Sequence, residues 1–173
     1  MKYNCLFFLL FAITIACSSD PSQSAFPKRI PVDNRAEHQP DEASILNAQI
    51  KESLESMYLV ETQLEDGTIS NYATRDGVAD FVAESTTYYK EEEKTTPLKT
   101  TIIYLTGSAT DVYWLSDKVV IVSKDDYQYL FKNSVLVTTL QEGKTVEVGE
   151  NDQEAAKEVL NIAQKIIQSP IPQ

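Results

Sequence analysis

Chemistry needs side chains that can attack, bind a metal or move a proton, and this chain holds few of them. One histidine, His38, and two cysteines, Cys5 and Cys17, are its whole stock of imidazole and thiol. His38 sits in a polar, proline-bearing stretch where no packed neighbour would orient its ring. Ser-His-Asp and Cys-His arrangements and His-based metal sites are therefore not expected. Carboxylates are more plentiful, with clusters at Glu91-Glu92-Glu93, Asp125-Asp126 and Glu150-Asn151-Asp152. Two carboxyl groups about 5–10 Å apart across a cleft could hydrolyse a glycoside. Adjacent acids on a strand point to opposite faces, however, and on turns and loops such clusters are simply solvated. Gly149-Glu150-Asn151-Asp152 lacks the alternating acidic spacing of a calcium loop. All five glycines fall at turns or strand ends, which argues against a phosphate-binding loop. The expectation is a protein that is not an enzyme, with no cofactor and no metal.

What remains is chemistry done to the chain. Lys2 supplies a positive start, Leu6 to Ile15 form a nearly unbroken apolar run, and Thr14-Ile15-Ala16 leads into Cys17. That is the layout of a secretory signal over residues 1–16. The apolar run is half the roughly 20 residues that a membrane-spanning helix needs. The junction resembles the lipobox of bacterial lipoproteins, in which the thiol is diacylated and becomes the new N-terminus. Thr14 stands where lipoboxes usually place Leu. Thr14 and Ala16 also suit ordinary signal peptidase, which would leave Cys17 as a free thiol. The resemblance implies a lipid anchor at Cys17, and two or more acyl chains are what stable anchoring takes. With Cys5 discarded in the leader, Cys17 has no disulfide partner, so the fold must hold through its apolar core.

The full chain carries 15 basic and 26 acidic residues, and residues 41–173 hold 11 and 23 of them. Such a domain is repelled by nucleic acid and anionic lipid heads. The excess keeps a crowded surface protein soluble, or attracts a basic partner or calcium. Residues 17–40 contain four of the seven prolines and, as large apolar groups, Phe26, Ile30 and Val32. They read as the lipidated cysteine followed by a flexible tether, with a reach of about 25–30 Å.

The elements that must position any site lie in residues 41–173, expected to be a single α+β domain. Asp41 can cap a helix from Glu42 to Ser56, with Leu46, Ile50, Leu54 and Met57 at helical spacing. From Tyr58 to Val148 the pattern is of strands and turns. The expected strands are Tyr58–Leu64, Thr68–Thr74, Val78–Tyr89, Thr100–Thr106, Thr110–Trp114, Lys118–Ser123, Tyr127–Lys132, Val135–Leu140 and Lys144–Val148. Asp66-Gly67 and Asp76-Gly77 suit two-residue hairpin turns, and Glu142-Gly143 is a weaker one. A second helix follows, with Asn151 and Glu154 as a capping box, an apolar stripe from Ala156 to Ile167, and a stop at Ser169-Pro170. Short connections make neighbours pair antiparallel. The expected fold is an antiparallel β-meander of about 7–9 strands, bracketed by N- and C-terminal helices packed on one face.

Within the strands, residues 112–120 echo residues 129–137 at an offset of 17. Trp114 answers Phe131, Ser116 answers Asn133, and Val119 answers Leu136. Each copy is an aromatic strand, a polar turn and an aliphatic return, which brings like side chains to corresponding places along the sheet. The echo resembles the repeated Tyr/Phe-x-Asn-Gly hairpins of uncharacterised bacterial lipoproteins from Bacteroidetes-type envelopes, over about residues 45–167. This chain departs at the turn glycine, replaced by Asp117 and Ser134. Ser tolerates left-handed backbone poorly, so the second turn is expected to be of another type or longer. The resemblance implies an anchored domain with a wide sheet, and it transfers no activity or site residues.

The aromatics are the functional lead. Tyr127, Tyr129 and Phe131 share one side of a strand, while Tyr113 and Trp114 split between two sides. On an open face beside Tyr113 or Trp114 they would suit a protein or glycan partner; beneath the helices they are core. The leading expectation is a lipid-anchored envelope module that binds through these residues without catalysis. Its place is the outer membrane, facing periplasm or surface. The alternatives are an acidic inhibitor of a basic lytic enzyme or cationic host factor, and a carboxylate-dependent hydrolase.

Overall fold

The computed structural model describes residues 41–170 apart from 93 and 117; Cys17, the leader, the tether and Asp117 lie outside the described residues. The described chain runs α1 (Glu42–Glu65), β1 (Tyr72–Asp76), β2 (Val82–Tyr89), β3 (Pro97–Tyr104), β4 (Ala109–Trp114), β5 (Val119–Lys124), β6 (Tyr127–Lys132), β7 (Val135–Gln141), β8 (Lys144–Val146) and α2 (Glu150–Gln168). All eight strands form one antiparallel sheet in the order of the sequence. The expected meander with flanking helices is therefore the fold.

Helix α1 begins where expected, with the Asp41 carboxylate accepting from Ser44 N–H at 2.7 Å. It continues past Ser56 and absorbs Tyr58–Leu64, which had the look of a strand. The reason is periodicity: Ile50, Ser53, Met57 and Val60 are buried at alternating spacings of three and four. No glycine or proline interrupts this stripe before Gly67. Gly67, at φ +77°, then closes the helix, its N–H donating to Leu64 O. Asp66-Gly67 is thus a helix cap and not a hairpin turn. Asp76-Gly77 likewise opens a longer connection to Val82. Glu142-Gly143 is the two-residue hairpin of the three, with φ of 51° and 75°. At α2 the expected capping box does not form. The helix starts earlier, at Glu150, with Gly149 as a cap that has no side chain to donate or accept.

The helices do not share a face. Helix α2 packs Ala156, Val159, Leu160 and Ile166 against Val112, Val120, Val122, Tyr129 and Phe131. Helix α1 packs Ile50, Met57 and Val60 against Tyr113, Ile121, Leu130 and Leu140. Alternate residues of β4, β5 and β6 thus go to opposite cores, which corrects the expectation of one covered face. The cause is in those strands themselves. Val119-Val120-Ile121-Val122 and Tyr129-Leu130-Phe131 are unbroken apolar runs, which a strand carries when both its faces are covered. Among the described residues, neither helix is long and apolar enough to cross a membrane.

Cover on the α1 side stops short of β1. The register carries the face of Tyr113 to Lys99, Tyr88 and Tyr72, and that of Asp111 to Thr101, Thr86 and Thr74. Toward β1 these side chains reach solvent, Tyr72 being 55% exposed.

Candidate binding cleft

A meander places every second connection at the same end of the sheet. Here β2–β3, β4–β5 and β6–β7 come together beside the C-terminal half of α2. They enclose a cleft of about 530 Å³ whose walls include Lys90, Trp114, Lys118, Ser134 and Gln164. A smaller cleft of about 400 Å³ lies across Leu98, Trp114 and Leu115 from it, walled by the end of α1. Trp114 thus stands between two hollows, and it is the single tryptophan of the chain.

The echo in the sequence builds this end of the molecule. Trp114 pairs with Val120, Val120 with Phe131, and Phe131 with Leu136, so the two repeated aromatics fall in one cross-strand row. Their turns, carrying Ser116 and Asn133, then both line the cleft. Asn133 N–H donates to Lys118 O at 2.8 Å and ties the two turns together. The second turn is a two-residue hairpin after all. Asn133 and Ser134 take φ of 52° and 62°, the left-handed region that serine pays to enter. Gln164 of α2 reaches the Ser134 hydroxyl at 3.4 Å, a long contact that places the strained residue against the cleft wall. The indole is fixed from below, its Nε1–H donating to the buried Thr100 hydroxyl at 3.0 Å. Thr100 in turn shares a hydrogen bond with Thr87 at 3.1 Å.

The other aromatics expected at a site are core. Tyr113 is 5% exposed beneath α1, and Tyr129 and Phe131 are 3% and 1% exposed beneath α2. They lie on opposite sides of the sheet, so these three form no exposed row. Tyr127 is partly buried, its ring 6.3 Å from that of Tyr129. Of the five, Trp114 is the one that lines the two clefts described above. Sequence reasoning missed Lys90 and Gln164, which come from a loop and a helix far from the echo and carry no local signal. Ser134, noted for its awkward backbone, was the available pointer.

One further cluster of ionisable groups sits where α1 meets the sheet. Lys99 Nζ lies 2.6 Å from Glu61 Oε1 and 3.0 Å from Asp111 Oδ2, and 5.2 Å from the centre of the Tyr113 ring. Tyr113 donates its hydroxyl to the same Glu61 oxygen at 2.5 Å, and Thr101 donates to Asp111 at 2.6 Å. Burial disfavours the charged forms of Glu61 and Lys99. It pushes the Glu61 carboxyl up, but hydrogen bonds from Lys99 and Tyr113 and the ammonium charge outweigh it and hold the carboxyl below its usual range. Burial likewise disfavours the Lys99 ammonium, and its two carboxylate partners raise it above the usual lysine range. Burial and the Glu61 carboxylate push the Tyr113 hydroxyl far up. An ammonium held protonated is no nucleophile, and a carboxylate held ionised is no acid at neutral pH. The cluster pins α1 to β3 and β4. Among the described residues, no three His, Cys, Asp or Glu side chains converge as metal ligands.

No protein-family model, curated protein or solved structure matches this chain.

Proposed function

We propose that this protein is a lipid-anchored envelope module, acylated at Cys17 and held off the membrane by residues 18–40, that binds a glycan or protein partner without catalysis. The observation that carries the binding half is the cleft around Trp114, built by three connections and a helix and floored by a fixed indole. Its volume falls in the roughly 300–1,000 Å³ range of ligand sites. The anchoring half rests on the leader and Cys17. Cells grown with labelled palmitate test it: label enters the wild type and is lost in Cys17→Ser. A Trp114→Ala variant that folds but no longer retains envelope partner tests the binding half. Unchanged retention removes the cleft from the account.

A second reading has its own support. On the half of the α1 face left open, Asp76 stands directly opposite Glu84, and no described basic side chain is ion-paired with either. Like charges facing across two strands destabilise the pair, and a cationic partner relieves that. Tyr72 and Tyr88 pack beside them with ring centres 5.9 Å apart. This face suits a basic protein, as an inhibitor of a lytic enzyme or a host factor would require. Its binding falls steeply with added salt; binding that holds at high salt removes it.

A further inference from the structure

We propose that the Trp114 cleft takes a carboxylated saccharide, such as a uronic-acid segment of an envelope polysaccharide; the proposal rests on the reading of this cleft as the binding site. Charge is the first argument. Acidic residues outnumber basic ones 23 to 11 over residues 41–173. Yet the described walls of this cleft include two lysines, Lys90 and Lys118, and no acid. Neither lysine is ion-paired among the described residues, so both ammonium groups are open to a ligand.

The neutral groups narrow the class further. Ser116, Asn133, Ser134 and Gln164 bring hydroxyls and amides, which both donate and accept hydrogen bonds. That dual capacity matches the hydroxyls of a sugar ring, and Pro97, Leu98 and Leu115 add apolar wall for its C–H faces. Trp114 adds a flat apolar face, held in place by Thr100, against which a ring can lie. The lysines then answer a carboxylate on that ring. An immobilised indole and a turn strained at Ser134 are both prepared before ligand arrives, so little ordering is left for binding to offset.

The single tryptophan makes the test direct, since all indole emission of the full-length protein comes from this cleft. Oligogalacturonate is titrated alongside its methyl ester, which keeps the rings and removes the charge, and alongside a neutral maltooligosaccharide. A panel of other uronic-acid oligosaccharides extends the acidic arm. Acidic members shift the emission, the ester does not, and replacing both exposed lysines (Lys90→Gln with Lys118→Gln) weakens binding by about tenfold or more. Equal shifts from ester and acid overturn the charge assignment and leave the cleft as a sugar site. If no saccharide moves the emission, the proposal falls. The broader reading then falls only if Trp114→Ala also leaves envelope retention unchanged.

Discussion

Lys99 of β3 and Glu61 of α1 meet at 2.6 Å, and this contact joins the N-terminal helix to the sheet at the point where the covered half of that face gives way to the open half. On one side of it lie Ile50, Met57 and Val60 over Ile121 and Leu130. On the other side the row runs through Tyr88 to Tyr72 and water. The pair therefore sets how far α1 reaches over the sheet, and with it the wall of the smaller cleft beside Trp114.

Removing one member of this network leaves the others short of a partner. Lys99→Met puts Glu61 and Asp111 in each other's field with no cation between them. Their side chains are 33% and 30% exposed, so water relieves part of the loss. The expected cost is about 2–3 kcal/mol, below that of a fully buried pair. Urea unfolding of Lys99→Met, Glu61→Gln and the double variant measures it. The double variant should cost clearly less than the sum of the singles.

The same network predicts a stability plateau with two edges. Glu61 has a folded pKa below its ordinary value of 4.5, so its contribution is complete above that value and is lost as pH falls through the folded pKa. Lys99 has a folded pKa above its ordinary value of 10.5, so its contribution is complete below that value and is lost as pH rises through the folded pKa. Thermal melts across pH should show an acid limb that flattens in Glu61→Gln.

The aromatic strand β6 is a core strand. Phe131→Ala should destabilise by about 3–5 kcal/mol, while Tyr72→Ala, on the open face, should change stability by less than about 1 kcal/mol. Equal effects of the two would contradict the two-sided packing.

Ser134 holds a conformation that glycine enters freely. Ser134→Gly should stabilise the domain by about 0.5–1 kcal/mol, or leave it unchanged where lost backbone restriction cancels the relieved strain. Gly143→Ala, at φ 75°, should destabilise by about 1 kcal/mol. Denaturant midpoints of the two variants check the pair.

Strands β4 to β8 were legible because short polar turns separate apolar runs and leave little choice of boundary. The long helix was not, because Tyr58-Leu59-Val60 carries strand-favouring side chains while its real signal is the spacing from Ile50 to Val60. The side each helix takes was legible in principle. The run Val119 to Val122 is apolar at every position, and a strand with a wet face would alternate. Trp114 and the turn residues Ser116 and Asn133 stood out through the echo. Lys90 and Gln164 did not, since only the closed meander brings a loop and a helix to those turns.

The most direct measurement is oxidative footprinting, read by mass spectrometry on the protein held in its envelope and on the same protein purified. The account predicts that Trp114 is protected from oxidation in the envelope, with Tyr72 oxidised equally in both states. Protection of Tyr72 with Trp114 equally oxidised in both would contradict it and move the partner to the open face beside Asp76 and Glu84.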